Sequence, residues 1–77
     1  GAAAQQRFEL LRQWRAEVAR SHGLPPFVIF HDRTLREIAS VAPSSLDELA
    51  NISGIGERKL AAYGEELLRV LANAAQP

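Results

Sequence analysis

The 77-residue sequence contains no cysteine and no methionine, and only two histidines. Without cysteine the chain has neither a disulfide nor a thiolate zinc site, which is typical of proteins in a reducing compartment. His22 and His31 do not form an H-E-x-x-H pattern, the commonest paired-histidine arrangement for zinc. We therefore expect no metal and no other cofactor.

Long hydrophobic runs are also absent. No apolar segment approaches the roughly 20 residues that span a bilayer, so we expect a soluble intracellular domain with no membrane partner. No carboxylate pair lies in an apolar setting that would separate two pKa values, as an acid–base pair requires. Ser44 and Ser45 have no neighbouring base in sequence and are explained by helix capping. We expect no catalytic residues, and hence a domain that is not itself an enzyme.

The chain has no net charge, since nine basic residues balance nine acidic ones. The two signs are unevenly distributed: six arginines face three acidic residues through residue 36, and three basic residues face six acidic ones from residue 37 onward. A protein that makes many phosphate contacts is usually strongly basic. Any binding to nucleic acid should therefore be weak and sensitive to salt.

Two glycines enclose one isoleucine in residues 52–59 (ISGIGERK), directly before an amphipathic segment. Gly54 and Gly56 allow the backbone to turn tightly and to approach a ligand closely. The first N–H groups of the following helix attract anions such as phosphate, and Ile55 should point into the core. The pattern resembles the hairpin of helix-hairpin-helix modules, which bind the nucleic-acid backbone. The alternative is a tight link between two helices.

The remaining pattern predicts helices. Apolar residues at helical spacing predict a first helix from Phe8 to His22, which Gly23 and the following prolines end. Residues 27–30 have no second strand to pair with and predict a short helical turn. Asp32 is the expected N-cap of a third helix that ends before Pro43.

A capping box at residues 45–48 predicts a short fourth helix, with Asn51 closing it in the left-handed conformation. The last helix follows the glycine hairpin, and Gly64 lies on its apolar side. An interior glycine weakens a helix, so its presence indicates that another helix crosses there closely. We predict a compact all-α bundle of five helices in residues 8–73. Residues 1–7 are interpreted as a linker or cloning remnant and residues 74–77 as a frayed tail.

Several of these features occur together in one known family. Residues 24–39 (LPPFVIFHDRTLREIA), Pro43, residues 52–56, Lys59 and the Tyr63-Gly64 pair resemble the helicase-and-RNase-D C-terminal (HRDC) domain. The resemblance covers roughly Phe8 to Leu71 and is strongest to HRDC domains of bacterial RecQ DNA helicases.

The resemblance implies an accessory domain that acts in DNA repair and recombination. Such domains bind single-stranded or branched DNA weakly and adjust which DNA structures the helicase prefers, while the catalytic core lies elsewhere in the same chain. The implied location is the bacterial cytoplasm, at the nucleoid, and we expect a monomer.

The candidate DNA-binding residues come from the resemblance and from charge. Phe27 occupies a position where the family often has tyrosine, and Lys59 matches a lysine that recurs near the hairpin. Arg58 and Lys59 lie in the first turn of the last helix, where a bound phosphate would offset their repulsion by the helix dipole. The full set is Arg20, His22, Phe27, Arg33, Arg36, Gly54, Gly56, Arg58 and Lys59. The alternatives are that Phe27 fills the core and that the basic residues serve solubility.

Two other functions fit the sequence. The neutral charge and acidic second half are compatible with a protein-interaction module that docks on the helicase core or on a partner, with little direct DNA binding. The third interpretation is the HRDC domain of an RNase-D-like nuclease acting on RNA. Binding to single-stranded DNA that weakens steeply with salt separates the first function from the second.

Overall fold

The computed structural model describes residues 1–76, which form five α-helices and no strand. The helices are α1 (Ala2–His22), α2 (Pro26–Ile29), α3 (Asp32–Val41), α4 (Leu46–Ala50) and α5 (Glu57–Ala74). The predicted all-α fold of five helices is confirmed. Helix α1 packs against α2, α3 and α5, and α4 packs against α5.

Every helix contributes to one hydrophobic core. The fully buried large side chains are Leu11 from α1, Ile29 from α2, Leu35 and Ile38 from α3, Leu49 from α4 and Leu67 from α5. Helices as short as α2 and α4 are not stable alone in water, because forming the first turn fixes about six backbone dihedral angles for a single hydrogen bond. Their buried side chains therefore hold them in the fold.

Helix α1 begins at Ala2, so the prediction that the first helix starts at Phe8 is wrong. Alanine and glutamine are good helix formers, and Arg7 Nε donates a hydrogen bond to the Ala39 carbonyl of α3 at 2.6 Å. The apolar repeat starts only at Phe8, so periodicity could not reveal the earlier turns. The domain limits at residues 8 and 73 stay a prediction. In the predicted tail, Ala74 ends α5, and Pro77 lies outside the described residues.

Two predicted caps differ in the structure. The N-cap of α3 is His31, not Asp32, whose carboxylate instead pairs with Arg15 of α1. Asn51 adopts the right-handed helical backbone conformation, with φ −80°, and not the predicted left-handed one. The chain makes another turn there, in which the Ile52 N–H donates to the Leu49 carbonyl and the Ile52 side chain enters the core.

Other local predictions are confirmed. Gly23 adopts φ +66° and ends α1. Ser45 Oγ accepts a hydrogen bond from the Glu48 N–H at 3.1 Å, while the Glu48 carboxylate accepts one from Ser44 N–H, one residue earlier than a standard capping box. A Cβ on Gly64 would lie 2.7 Å from Leu46 Cδ2 of α4, which is the close helix crossing expected there.

Candidate nucleic-acid interface

The glycine hairpin joins α4 to α5 and packs against the first turn of α3. Ile55 is buried, as predicted, and anchors the hairpin to the core. Gly54 has φ +93°, and a Cβ at this position would overlap Thr34 Oγ1. Gly56 has φ −85° and open space around it, so any residue fits its backbone. Of the two glycines, Gly54 is the one that the close approach to α3 requires.

A groove of about 350 Å³ runs between this hairpin and α3. Its lining residues are His31, Arg33, Thr34, Ser53 and Gly54. Thr34 is buried at the floor, whereas the other four are exposed. The groove therefore presents hydroxyl, imidazole and guanidinium donors to solvent next to the hairpin backbone.

Phe27 lies on the surface beside this groove. Its side chain is 59% exposed, so the alternative that it fills the core is wrong. The Phe27 ring lies nearly parallel to the His31 imidazole, with an interplanar angle of 22° and centroids 6.2 Å apart. The aromatic residue that enters the core is Phe30, about one helical turn later. The two exposed rings form a stacked pair at the edge of the groove.

Lys59 turns away from solvent and caps α2. Its Nζ donates to the carbonyl oxygens of Val28 and Ile29, each at 2.6 Å, and lies 5.4 Å from the centre of the Phe30 ring. A cation at the carbonyl end of a helix is favourable because it satisfies free acceptors and the negative end of the dipole. The Lys59 ammonium group is therefore already hydrogen-bonded within the fold. Arg58, the preceding residue, is exposed and forms no hydrogen bond or ion pair within residues 1–76.

The other predicted basic residues do not join the groove. Arg20 and His22 are exposed in the last turn of α1, and no contact in the described chain links either to Phe27. The Arg36 guanidinium lies 4.2 Å from the centre of the Phe8 ring, on the side of α3 that faces α1. The structure thus brings together Phe27, Arg33 and Gly54 from the predicted set and separates Arg36 from them.

Arg15 was not predicted to have a role, yet it anchors the α2–α3 connection. It is buried, with Nη1 donating to the Phe30 carbonyl at 2.8 Å and Nη2 paired with Asp32 Oδ1 at 2.7 Å. The hydrogen bond from Arg15 holds the pKa of Asp32 below its ordinary value, and the nearby charges of Arg12 and Arg36 act in the same direction. The signal in the sequence is position: Arg15 lies four residues after Leu11, on the apolar side of α1.

Comparison with known proteins identifies the family. The model of the HRDC domain family matches residues 4–71. The chain belongs to the HRDC family. A solved structure, HRDC domain 3 of Deinococcus radiodurans RecQ, shares this fold with a TM-score of 0.91 and 34% identity, over 96% of this chain and 97% of that one.

Curated relatives of this HRDC domain are helicases. It is 48% identical over 62 residues to the ATP-dependent DNA helicase RecQ of Bacillus subtilis, and 39% identical over 61 residues to UvrD2 of Mycobacterium tuberculosis. These matches cover 80% and 79% of this chain but only 10% and 9% of the relatives, so the chain spans about a tenth of their length. The predicted resemblance to a RecQ HRDC domain is confirmed, and UvrD2 adds a second type of helicase that contains such a domain.

The groove offers the side chains of His31, Arg33 and Ser53 as hydrogen-bond donors. Among residues 1–76 no cluster of three or more His, Cys, Asp or Glu side chains is arranged to hold a metal ion. None of the helices in that part of the HRDC domain combines the length and apolar character that a bilayer span requires.

The two cations at the start of α5 should differ in their effect on stability. Lys59→Ala removes two charged hydrogen bonds to the end of α2 and should lower the free energy of unfolding by about 1 to 2 kcal/mol, since Lys59 is only partly buried. Arg58→Ala should change it by less than about 0.5 kcal/mol. Urea denaturation of both variants measures the difference. Equal midpoints would show that the Lys59 hydrogen bonds contribute nothing to folding.

Proposed function

We propose that this HRDC domain is a non-catalytic accessory module of a RecQ-family DNA helicase. It weakly binds single-stranded or branched DNA at the groove between the glycine hairpin and α3, where the Phe27–His31 stacked pair lies at the edge. Through this contact it tunes which DNA structures the enzyme engages in repair and recombination at the bacterial nucleoid. The observation that carries the proposal is the exposed stacked ring pair beside a groove that contains an arginine.

The stacked pair suits unpaired bases. An aromatic ring exposed on a rigid support stacks on any base, and such a contact is worth about 1 to 3 kcal/mol per base. Phe27 is held on a rigid support because it follows Pro25 and Pro26 and because the carbonyls that end its helix accept hydrogen bonds from Lys59. The indirect role of Lys59 is thus to position the platform.

The groove suits the phosphates that link those bases. Arg33 supplies a planar guanidinium, which binds phosphate with paired hydrogen bonds. Helix α5 starts nearby without a side-chain cap at Gly56, and its first backbone helical bond is the one from Leu60 N–H to the Gly56 carbonyl. The preceding N–H groups therefore remain available to an anion at the positive end of the helix.

Affinity should be weak. A chain with zero net charge offers few cations to a polyanion, so we expect dissociation constants in the non-specific range of about 10⁻⁴ to 10⁻⁶ M. Attachment to a helicase core in the same chain would present the domain to DNA at an effective concentration of order millimolar, which makes such weak contact consequential. The relatives reported above are named as helicases, which favours a helicase parent over an RNase-D-like nuclease.

Phe27→Ala tests the proposal. We expect it to weaken binding of a fluorescent oligothymidine by about 1 to 3 kcal/mol, which is roughly 5- to 150-fold. Its thermal stability should change little because the ring is exposed. Fluorescence anisotropy at low and moderate salt measures binding, and circular dichroism measures the melting temperature.

The matched control is Val28→Ala, which removes an exposed apolar side chain from the same short helix without removing a ring. It should leave affinity unchanged. Wild-type affinity in Phe27→Ala at low salt would exclude stacking at this position.

A second function has its own support. Three large apolar side chains, Leu24, Phe27 and Val28, are 42%, 59% and 41% exposed. Exposed apolar residues of this kind often contact proteins, which would make the domain a docking module for the helicase core. No DNA binding by the wild-type chain at low salt, together with binding to an isolated helicase core, would favour this function.

A further inference from the structure

A second charged surface lies on the side of α3 that faces α1. Arg15 pairs with the exposed carboxylate of Asp32 at 2.7 Å, and Arg12 and Arg36 both lie near the Phe8 ring; we refer to these three arginines and Asp32 as the arginine cluster. Asp32 and Arg36 are four residues apart on α3 and so share one face, and Arg12 and Arg15 share the facing side of α1. The cluster carries three positive charges and one negative charge.

The two outer arginines, Arg12 and Arg36, both lie near the Phe8 ring. The guanidinium carbons of Arg12 and Arg36 lie 5.8 Å and 4.2 Å from the centre of this ring. Phe8 itself is buried, so the ring is a rigid support. The two guanidinium groups are therefore at most about 10 Å apart, which corresponds to a few nucleotides at roughly 3.4 Å per nucleotide of one strand.

Both outer arginines keep free donors. The partner of Arg12 is Glu9 at 3.8 Å, and both side chains are about half exposed, with 52% and 51% accessible. Exposed ion pairs of this kind contribute little to stability. The Arg36 guanidinium forms no hydrogen bond or ion pair in residues 1–76. Arg15 differs, since it is buried and already holds Asp32.

We propose that the arginine cluster is a second phosphate-binding surface for the nucleic-acid backbone, at which the Asp32 carboxylate competes with phosphate. The inference rests on the proposed function and extends it: the groove binds bases, and the arginine cluster binds the strand that leaves it. Asp32 is paired with Arg15 and adds a negative charge to the cluster, and this limits affinity for an anion.

The chain itself connects the two surfaces. His31 and Arg33 line the groove, whereas Asp32 between them points to α1. The first turn of α3 is thus a ridge with the groove on one side and the arginine cluster on the other. A strand stacked on the Phe27–His31 pair needs to cross only this ridge to reach Arg36 and Arg12.

Nucleic acid fits the cluster better than an acidic protein segment. Arginine guanidinium groups bind phosphate through paired donors, and two of them within about 10 Å of each other can contact neighbouring phosphates of one strand. An acidic peptide presents its charges only where Asp or Glu side chains occur. Binding to polyglutamate is therefore the competing outcome in the test.

The test measures binding of fluorescent oligothymidine to the wild-type chain and to the variants named below, across a salt series. Arg12→Gln/Arg36→Gln should weaken binding at low salt about tenfold and reduce the salt slope by roughly 0.7 for each phosphate that the variant no longer neutralises. Asp32→Asn retains an oxygen that can accept the Arg15 hydrogen bond but removes the negative charge, and it should strengthen binding about threefold. Arg69→Gln on α5 is the control for a charge change elsewhere.

Arg12→Gln alone provides an independent measurement, because this exposed residue forms no hydrogen bond or ion pair with Arg15 or Asp32 in residues 1–76. The double variant removes two charges and Arg69→Gln removes one, so a loss of binding free energy in the double variant no larger than twice that in Arg69→Gln would overturn the inference, since net charge alone would then explain it. Unchanged binding in the double variant, with a loss in Phe27→Ala, would overturn the inference and leave the proposed function intact. No binding by the wild-type chain would refute both. Equal affinity for polyglutamate, abolished in the double variant, would overturn the inference by assigning the cluster to an acidic protein.

Discussion

Replacing Gly54 with alanine should destabilise this HRDC domain by about 2 to 5 kcal/mol. An alanine at φ +93° has unfavourable backbone geometry, which costs roughly 1 to 2 kcal/mol. Its Cβ would also overlap the hydroxyl oxygen of the buried Thr34, and relief of such overpacking costs about 1 to 3 kcal/mol. For a domain of this size each kcal/mol lowers the melting temperature by roughly 4 to 8 °C.

Thermal denaturation followed by circular dichroism measures this effect, and the chain provides two controls. Gly56→Ala should be nearly neutral because its backbone is extended and nothing lies within 4 Å of the added Cβ. In a Thr34→Ala background the steric part of the Gly54→Ala penalty should disappear and only the backbone part should remain. Equal stability of the Gly54→Ala and Gly56→Ala proteins would mean that the hairpin does not depend on the close approach to α3.

The second large effect is expected at Arg15. Arg15→Ala leaves the buried carbonyl of Phe30 without its donor and opens space where the arginine stem packed, which should lower the free energy of unfolding by about 2 to 4 kcal/mol. Arg15→Met retains most of the stem and should recover the packing part. Arg12→Ala, which removes a half-exposed side chain from the same helix, should change stability by less than about 0.5 kcal/mol. Urea denaturation of the three variants gives these values, and equal effects of Arg15→Ala and Arg12→Ala would contradict the anchoring role.

The dependence on pH separates the Asp32 contact from packing at Arg15. Arg15 lowers the pKa of Asp32 in the folded chain, so this contact contributes stability above the ordinary carboxyl pKa of 3.8, and that stability disappears as the pH falls through the lower, folded value. The stability difference between wild type and Arg15→Met should therefore be largest near neutral pH and narrow below pH 3.8. A constant difference across this range would show that Asp32 contributes nothing.

The candidate site could be predicted in part. The structure brings three of the predicted residues, Phe27, Arg33 and Gly54, to one groove, and each of them lies in or beside a distinctive local segment of the sequence. Arg15 was missed, and Lys59 has a structural role that the motif did not indicate. The difference is the separation of the partners along the sequence. Lys59 donates to carbonyls that lie 31 and 30 positions before it, and Arg15 donates to a carbonyl 15 positions after it.

By itself the sequence determined what depends on neighbours along the chain. Apolar spacing specified the longer helices, the capping box specified α4, Gly23 and Ser45 specified two helix ends, and Gly64 marked a close helix crossing, because backbone conformation and helix faces are set within a few residues. The family membership also followed from local segments.

Only the tertiary structure decided where the long charged side chains end. Arg15, Arg36 and Lys59 carry flexible stems whose charged ends can reach several alternative partners. The packing of α1, α2, α3 and α5 around one core selects the Asp32 carboxylate for Arg15, the Phe8 ring for Arg36 and two α2 carbonyls for Lys59. The early start of α1 was decided in the same way, since the contact between Arg7 and Ala39 exists only once α3 is packed beside it. Helix periodicity specifies which face of a helix is buried, but the partner that a charged group finds depends on the docking of all five helices.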